Sequence, residues 1–114
     1  MSNRFAKKYR LAGKKTIEEV FRQGTYTAFK EYKVKYLPNQ KGLIRFGISI
    51  SRRVGNAPFR NRIKRLIREN LRCSGILDRF SYDCLLYINV RPKENISYAN
   101  AREVVENVSH HFKS

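Results

Sequence analysis

Residues 82–90, from Tyr82 through Cys84, Leu85, Leu86 and Ile88 to Val90, are apolar at almost every position. A strand with one wet face alternates, so this run suits a strand covered on both faces. The chain is therefore expected to be layered, with helices packed on a sheet. Asn56-Ala57-Pro58 opens a helix predicted to run to about Arg72: an Asx cap, then proline where its missing N–H costs nothing. Ser97 is placed to cap a last helix, on which Ala101, Val104, Val105, Val108 and Phe112 form one stripe.

Two further segments alternate. Glu31–Leu37 sets Tyr32, Val34 and Tyr36 against Lys33 and Lys35, and Leu43–Ser51 sets Ile44, Phe46, Ile48 and Ile50 against Arg45, Gly47, Ser49 and Ser51. Pro38 to Gly42 between them is turn chemistry, so the pair is expected to form a hairpin with one packed face and one basic face. A shorter strand is expected around Tyr26–Phe29. Thr16-Ile17-Glu18-Glu19 reads as a capping box for a short first helix carrying Ile17, Val20 and Phe21 and stopped by Gly24. The predicted class is α+β, an α-β sandwich of order αβββαβα. Residues 1–114 are expected to form a single domain, the usual size being about 100–150 residues. Residues 1–15, with Arg4, Lys7, Lys8, Arg10, Lys14, Lys15 and no acid, read as a flexible basic arm that contacts phosphate.

The 25 Lys and Arg outnumber the 9 Asp and Glu, for a formal net charge of +16. Self-repulsion on that scale opposes compaction unless a polyanion neutralises the field. A membrane-surface peptide would show one large apolar face and little else, whereas strands flank the basic segments here, which favours nucleic acid. No apolar run approaches the roughly 18 residues of a membrane span. Phe5-Ala6 is the only apolar patch before Lys7, too short for the core of a signal peptide, so a soluble cytoplasmic protein is expected. Cys73 and Cys84 lack metal-ligand spacing and read as small apolar residues of a reduced compartment.

Arg52–Arg72 concentrates the charge: eight Lys or Arg against the single acid Glu69. On a helix, Phe59, Ile63, Leu66, Ile67 and Leu71 share one arc. Arg60, Lys64 and Arg68 form an i, i+4, i+8 row beside it, and Asn61, Arg62, Arg65 and Arg72 take the remaining polar arc. Like charges four apart oppose each other on a free helix, so such a row makes sense when phosphates lie against it. A merely solvated face is the alternative, but solubility is served by mixed charge and no acids balance this one. Arginine's planar fork grips phosphate bidentately and stacks on bases, which ammonium does not.

The stretch Phe46-Gly47-Ile48-Ser49-Ile50-Ser51-Arg52-Arg53-Val54-Gly55-Asn56-Ala57, continuing through Arg60-Asn61-Arg62-Ile63-Lys64-Arg65 to Arg68-Glu69, resembles the signature of the protein subunit of bacterial ribonuclease P. Arg10-Leu11 and Val20-Phe21 with Gly24 fit the same family. The resemblance implies a ribosomal-protein-like α-β sandwich, with a left-handed βαβ crossover around the basic helix. It also implies a partner, the catalytic ribonuclease P RNA, which with its Mg²⁺ removes the 5′ leader of precursor tRNA, one protein per RNA. Arg52, Arg53, Asn56, Arg60, Asn61, Arg62, Lys64, Arg65 and Arg68 would face that RNA. Ile17, where relatives often carry Phe, and Phe21 would line a cleft for the single-stranded leader, with Tyr32, Val34 or Tyr36 from the strand. Lys33 and Lys35 would steer phosphates from the opposite strand face, and the alternation leaves open which face is the cleft.

The residues argue against autonomous nuclease chemistry. His110 and His111 are adjacent on a helix, about 100° apart, and cannot converge on one phosphate. The nine acids are scattered rather than clustered for a two-metal site. A ribosomal-type structural RNA binder and a nucleoid-type DNA binder are the other readings of the same composition.

Overall fold

The computed structural model describes residues 6–112. Its elements are α1 (Lys14–Gln23), β1 (Thr25–Phe29), β2 (Tyr32–Pro38), β3 (Ile44–Ile50), α2 (Ala57–Ser74), β4 (Tyr82–Ile88) and α3 (Tyr98–Ser109), the expected order αβββαβα. The four strands form one mixed sheet in the order β1-β2-β4-β3. β4 runs antiparallel to β2 and parallel to β3, and α2 supplies the crossover that a parallel pair requires. As an inner strand β4 buries Cys84, Leu85, Leu86 and Ile88, which accounts for its continuous apolar run. Among the described residues no helix is long and apolar enough to cross a membrane.

The caps follow local chemistry. The Asn56 side chain accepts from the Phe59 amide at 3.0 Å, and the Ser97 hydroxyl accepts from the Asn100 amide at 3.1 Å. Gly75 closes α2 in the left-handed region.

Three local expectations fail. The segments around β2 and β3 do not form a hairpin, because β4 lies between them; the hairpin is β1–β2, turned through Lys30 at φ 54°. Alternation tells which face a residue shows, and says nothing about the neighbouring strand. The Thr16–Glu19 capping box is also not formed. α1 begins at Lys14 behind Gly13, whose φ of 96° turns the chain in and whose carbonyl accepts from the Ile17 amide. Finally, residues 6–15 are not a loose arm. Lys7–Tyr9 makes a 3-10 turn, Arg10 bridges to Phe46, and the Leu11 amide donates to the Phe46 carbonyl at 3.2 Å. Leu11 is buried against Val20 and Leu85. Arg4, the first cation assigned to that arm, lies outside the described residues.

Two apolar layers hold the sheet. On one face Ile63, Ile67 and Leu71 of α2 and Val104, Val105 and Val108 of α3 bury Tyr32, Val34, Ile44, Phe46, Cys84, Leu86 and Ile88. On the other, α1 covers less: Val20 and Leu11 meet Leu85, with Ile17, Leu37 and Tyr87 partly buried around them.

Burial pushes the Tyr32 phenol up to about 12, and the negative charges of Glu31 and Glu94 act the same way. A folded-state value above the ordinary one of about 10 means that this stability is complete below pH 10 and lost as pH rises toward 12. In alkaline denaturation at constant ionic strength, the parent is expected to lose about 1–2 kcal/mol more than Tyr32→Phe across that window. Parallel curves for the two proteins would refute the assignment.

Candidate nucleic-acid interface

The site begins with the loop after β3. Val54, fully buried, anchors the 3-10 turn Arg52–Val54 and leaves Arg52 and Arg53 exposed. Gly55 follows, and a Cβ there would meet the Phe59 ring at 2.8 Å. That close approach lets Phe59 fold over the loop, with the Arg91 guanidinium 4.3 Å above its ring and donating to the Val54 carbonyl at 3.4 Å. Arg91 escaped the sequence reading because it follows β4, and only the sheet order carries it to the start of α2.

Along α2 the cations divide by depth. Asn61, Arg62, Arg65 and Arg72 are exposed, whereas Arg60, Lys64 and Arg68 are half-buried along the apolar side. Arg60 Nε donates to the Gly55 carbonyl at 3.1 Å, which ties the helix to the loop. The Asn56 amide oxygen is used in the cap, so this residue shapes the helix start. Burial lowers the Arg68 pKa, and the positive charge of Arg10 lowers it further. Arg10 and Arg68 line the same cleft.

Lys64 and Arg68 also line a cleft of about 950 Å³, which runs from α2 past Gly47 and Ser49 of β3 to Tyr87 and the α1 side chains Ile17 and Phe21. Gly47 leaves room for the anchored Leu11, whose Cβ would stand 3.3 Å from a side chain added there. Phe21 is 48% exposed, unusual for so large an apolar ring, and sits 5.5 Å from the Tyr87 ring.

The structure separates the five residues expected to line the leader cleft. Ile17 and Phe21 are there. Tyr32 and Val34, 4% and 2% exposed, lie under α2 and α3 on the opposite face. Tyr36 shares that face and packs edge-on against Tyr82 and Phe112, each 5.7 Å away. The strand aromatic beside α1 is Tyr87, which in sequence belongs to a run too uniformly apolar to show a face. Lys33 and Lys35 stand on the α1 side of β2, adjacent to Tyr87 and Leu85 in register. The lysine face of β2 is thus the one on the side of α1.

Among the described residues, no three His, Cys, Asp or Glu gather closely enough to hold a metal ion, and Glu18 is the one carboxylate lining the cleft.

A family model described as Ribonuclease P matches residues 5–114. The chain is 35% identical over 114 residues to the ribonuclease P protein component of an Exiguobacterium species, covering 94% of this chain and 90% of the relative. It is 34% identical over 109 residues to that of Ligilactobacillus salivarius, covering 94% and 92%. The RNase P protein of Staphylococcus aureus superposes with a TM-score of 0.74 at 28% identity, over 90% of this chain and 93% of that one. That of Thermotoga maritima, 22% identical, shares the fold with a TM-score of 0.77 over 91% and 100%. The relatives are matched over nearly their whole length, and the chain belongs to the family of bacterial ribonuclease P protein components, subunits of the ribonucleoprotein that processes tRNA.

Proposed function

We propose that α2, with the Arg52–Asn56 loop, rests on the catalytic RNA of ribonuclease P, and that the α1–sheet cleft holds the single-stranded 5′ leader of precursor tRNA. The observation that carries this reading is continuity: Lys64 and Arg68 border the same cleft as Phe21 and Tyr87. A strand leaving the RNA-facing helix would enter the cleft without crossing an acidic barrier. On this reading Arg52, Arg53, Arg60, Asn61, Arg62, Lys64, Arg65 and Arg68 take the structured RNA, with Asn56 setting the helix start. Ile17, Phe21 and Tyr87 take the leader, and one protein serves one RNA in the cytoplasm.

The chemistry of hydrolysis belongs to the RNA and its Mg²⁺. The chain's own residues bind and orient. Bases stack on exposed aromatics for about 1–3 kcal/mol each without demanding a sequence, which suits leaders that differ from one tRNA to the next. Because cleavage severs the leader from the tRNA, binding energy in the cleft is present in the substrate and absent from the mature product. The cleft therefore favours precursor over product and helps product leave.

Phe21→Ala in the reconstituted holoenzyme is expected to weaken binding of leader-bearing precursor about tenfold and to leave mature tRNA affinity unchanged. Equal losses for both ligands would remove the cleft from the leader path. Protein alone is expected to leave precursor intact, and addition of the RNA at modest Mg²⁺ to yield 5′ cleavage.

A further inference from the structure

Lys35 stands beside Phe21, which lines the cleft, where a basic residue would ordinarily be given a phosphate. Its ammonium is already engaged. Nζ donates to the Phe21 carbonyl at 2.6 Å and lies 4.6 Å from the centroid of the Phe21 ring. The carbonyl is in the last turn of α1, where the final C=O groups lack intrahelical partners and the helix dipole favours a cation. The Val20 carbonyl is taken by the Gly24 amide, which leaves that of Phe21 for the lysine. One ammonium thus satisfies the backbone of Phe21 and supports its ring, while Tyr87 tilts against the same ring from β4.

Lys35 can do this because of its place in the sheet. It pairs in register with Leu85, which belongs to the apolar cluster under α1, and with Tyr26 on the other side. Its stem runs along apolar surface and its head emerges at the end of α1. Lys33, two residues earlier on the same face, reaches the Asn89 side chain instead, at 3.4 Å. The two lysines look equivalent in sequence and are not equivalent in the fold.

We infer that Lys35 is a positioning residue for leader binding: it fastens Phe21 in place as a stacking platform and does not itself ligate the leader backbone. This rests on the cleft being the leader site. A ring held by its own carbonyl and by a cation beneath it loses less freedom when a base arrives. Nearly half of the ring's surface stays open to receive one.

The test is a double-mutant cycle in the reconstituted holoenzyme, with Lys35→Met, Phe21→Ala and the double variant. Each is titrated with precursor tRNA and with mature tRNA over a range of salt. Methionine keeps the stem and removes the ammonium. The expected result is that Lys35→Met lowers the leader-dependent gain in affinity about three- to tenfold. The salt dependence of precursor binding should stay unchanged, and Lys35→Met should add nothing once Phe21 is gone. A lost phosphate contact would instead lower the salt slope by about 0.7 and add to the Phe21→Ala loss. Either that pattern, or no loss from Lys35→Met, overturns the inference and leaves the cleft assignment standing. If Phe21→Ala itself spares the leader-dependent gain, the cleft reading fails, and the role of Lys35 with it. Unchanged affinity of every variant for ribonuclease P RNA shows that the protein has folded and assembled.

Discussion

The combined variant Arg60→Ala, Arg62→Ala, Lys64→Ala is expected to bind ribonuclease P RNA about a hundredfold more weakly near 0.15 M salt, with a flatter salt dependence. Each phosphate neutralised by a cation contributes roughly 0.7–0.9 to the slope of log affinity against log salt. Three lost contacts lower it by about 2–2.7, which near 0.15 M corresponds to about two decades. The three side chains are not equal. Arg62 is exposed and carries charge alone; Arg60 also holds the Gly55 carbonyl, and Lys64 also borders the cleft. Arg62→Ala should therefore flatten the slope by one contact and leave the melting temperature unchanged, while Lys64→Ala should in addition reduce leader discrimination. Affinities measured from 0.1 to about 0.6 M salt decide the matter. An unchanged slope in the triple variant would mean that this side of α2 faces solvent in the holoenzyme.

Why α2 was legible and the cleft was not has a physical explanation. Asn56, Pro58 and the spacing of Phe59, Ile63, Ile67 and Leu71 are local signals, and a helix satisfies its backbone locally, so its start, face and charge row can be read from one segment. The covering of β4 on both faces was legible for the same reason: double burial marks nearly every residue of the strand. Pairing is non-local. Nothing in Glu31–Leu37 or Leu43–Ser51 records that β4 will separate them, and the turn residues between them fit a hairpin equally well. The alternation leaves the cleft face open because lysine is amphipathic. Lys33 and Lys35 look like a solvated face, yet their stems lie beside Leu85 and Tyr87, and one head group is used by α1. Leu11 was hidden among cations, and its burial depends on a glycine in a distant strand. Tyr32 and Tyr36 of β2 pack with the core, and the strand aromatic that lines the cleft is Tyr87.

The charge distribution supports the same division of labour. Among the described residues the ion pairs are Lys30–Glu94, Arg45–Asp83 and Arg102–Glu106, and none falls on α2. α2 carries one acid, Glu69, against six Lys or Arg, and the acids of these pairs lie on β4, α3 and the loop between them. The fold thus keeps the interface cations unneutralised, at the expense of self-repulsion that RNA binding relieves.

Arg45–Asp83 is the pair on which the sheet depends, and Asp83→Ala is expected to lower stability by about 2–4 kcal/mol. The Asp83 carboxylate, 9% exposed, accepts from Arg45 Nε at 2.8 Å and from its terminal nitrogen at 2.6 Å, while Asn39 Nδ2 donates to it at 2.8 Å. Asn39 also donates to the Leu43 carbonyl and through its backbone to that of Ser81. One carboxylate on the inner strand therefore ties down β3 and the loop leaving β2, the two segments that sequence alone would have paired with each other. Alanine leaves a largely buried guanidinium and an amide without their acceptor, which costs more than the pair contributes when intact. Against a total near 5–15 kcal/mol, the melting temperature should fall by about 10–20 °C. Replacing both partners, Arg45→Met with Asp83→Leu, should recover much of that loss, because no charge is then stranded. Added ribonuclease P RNA should raise the melting temperature of Asp83→Ala, since at a hundred times its dissociation constant a ligand specific for the folded state contributes about 2.7 kcal/mol. A loss below about 0.5 kcal/mol, typical of surface substitutions, would show that the network is incidental to the sheet order.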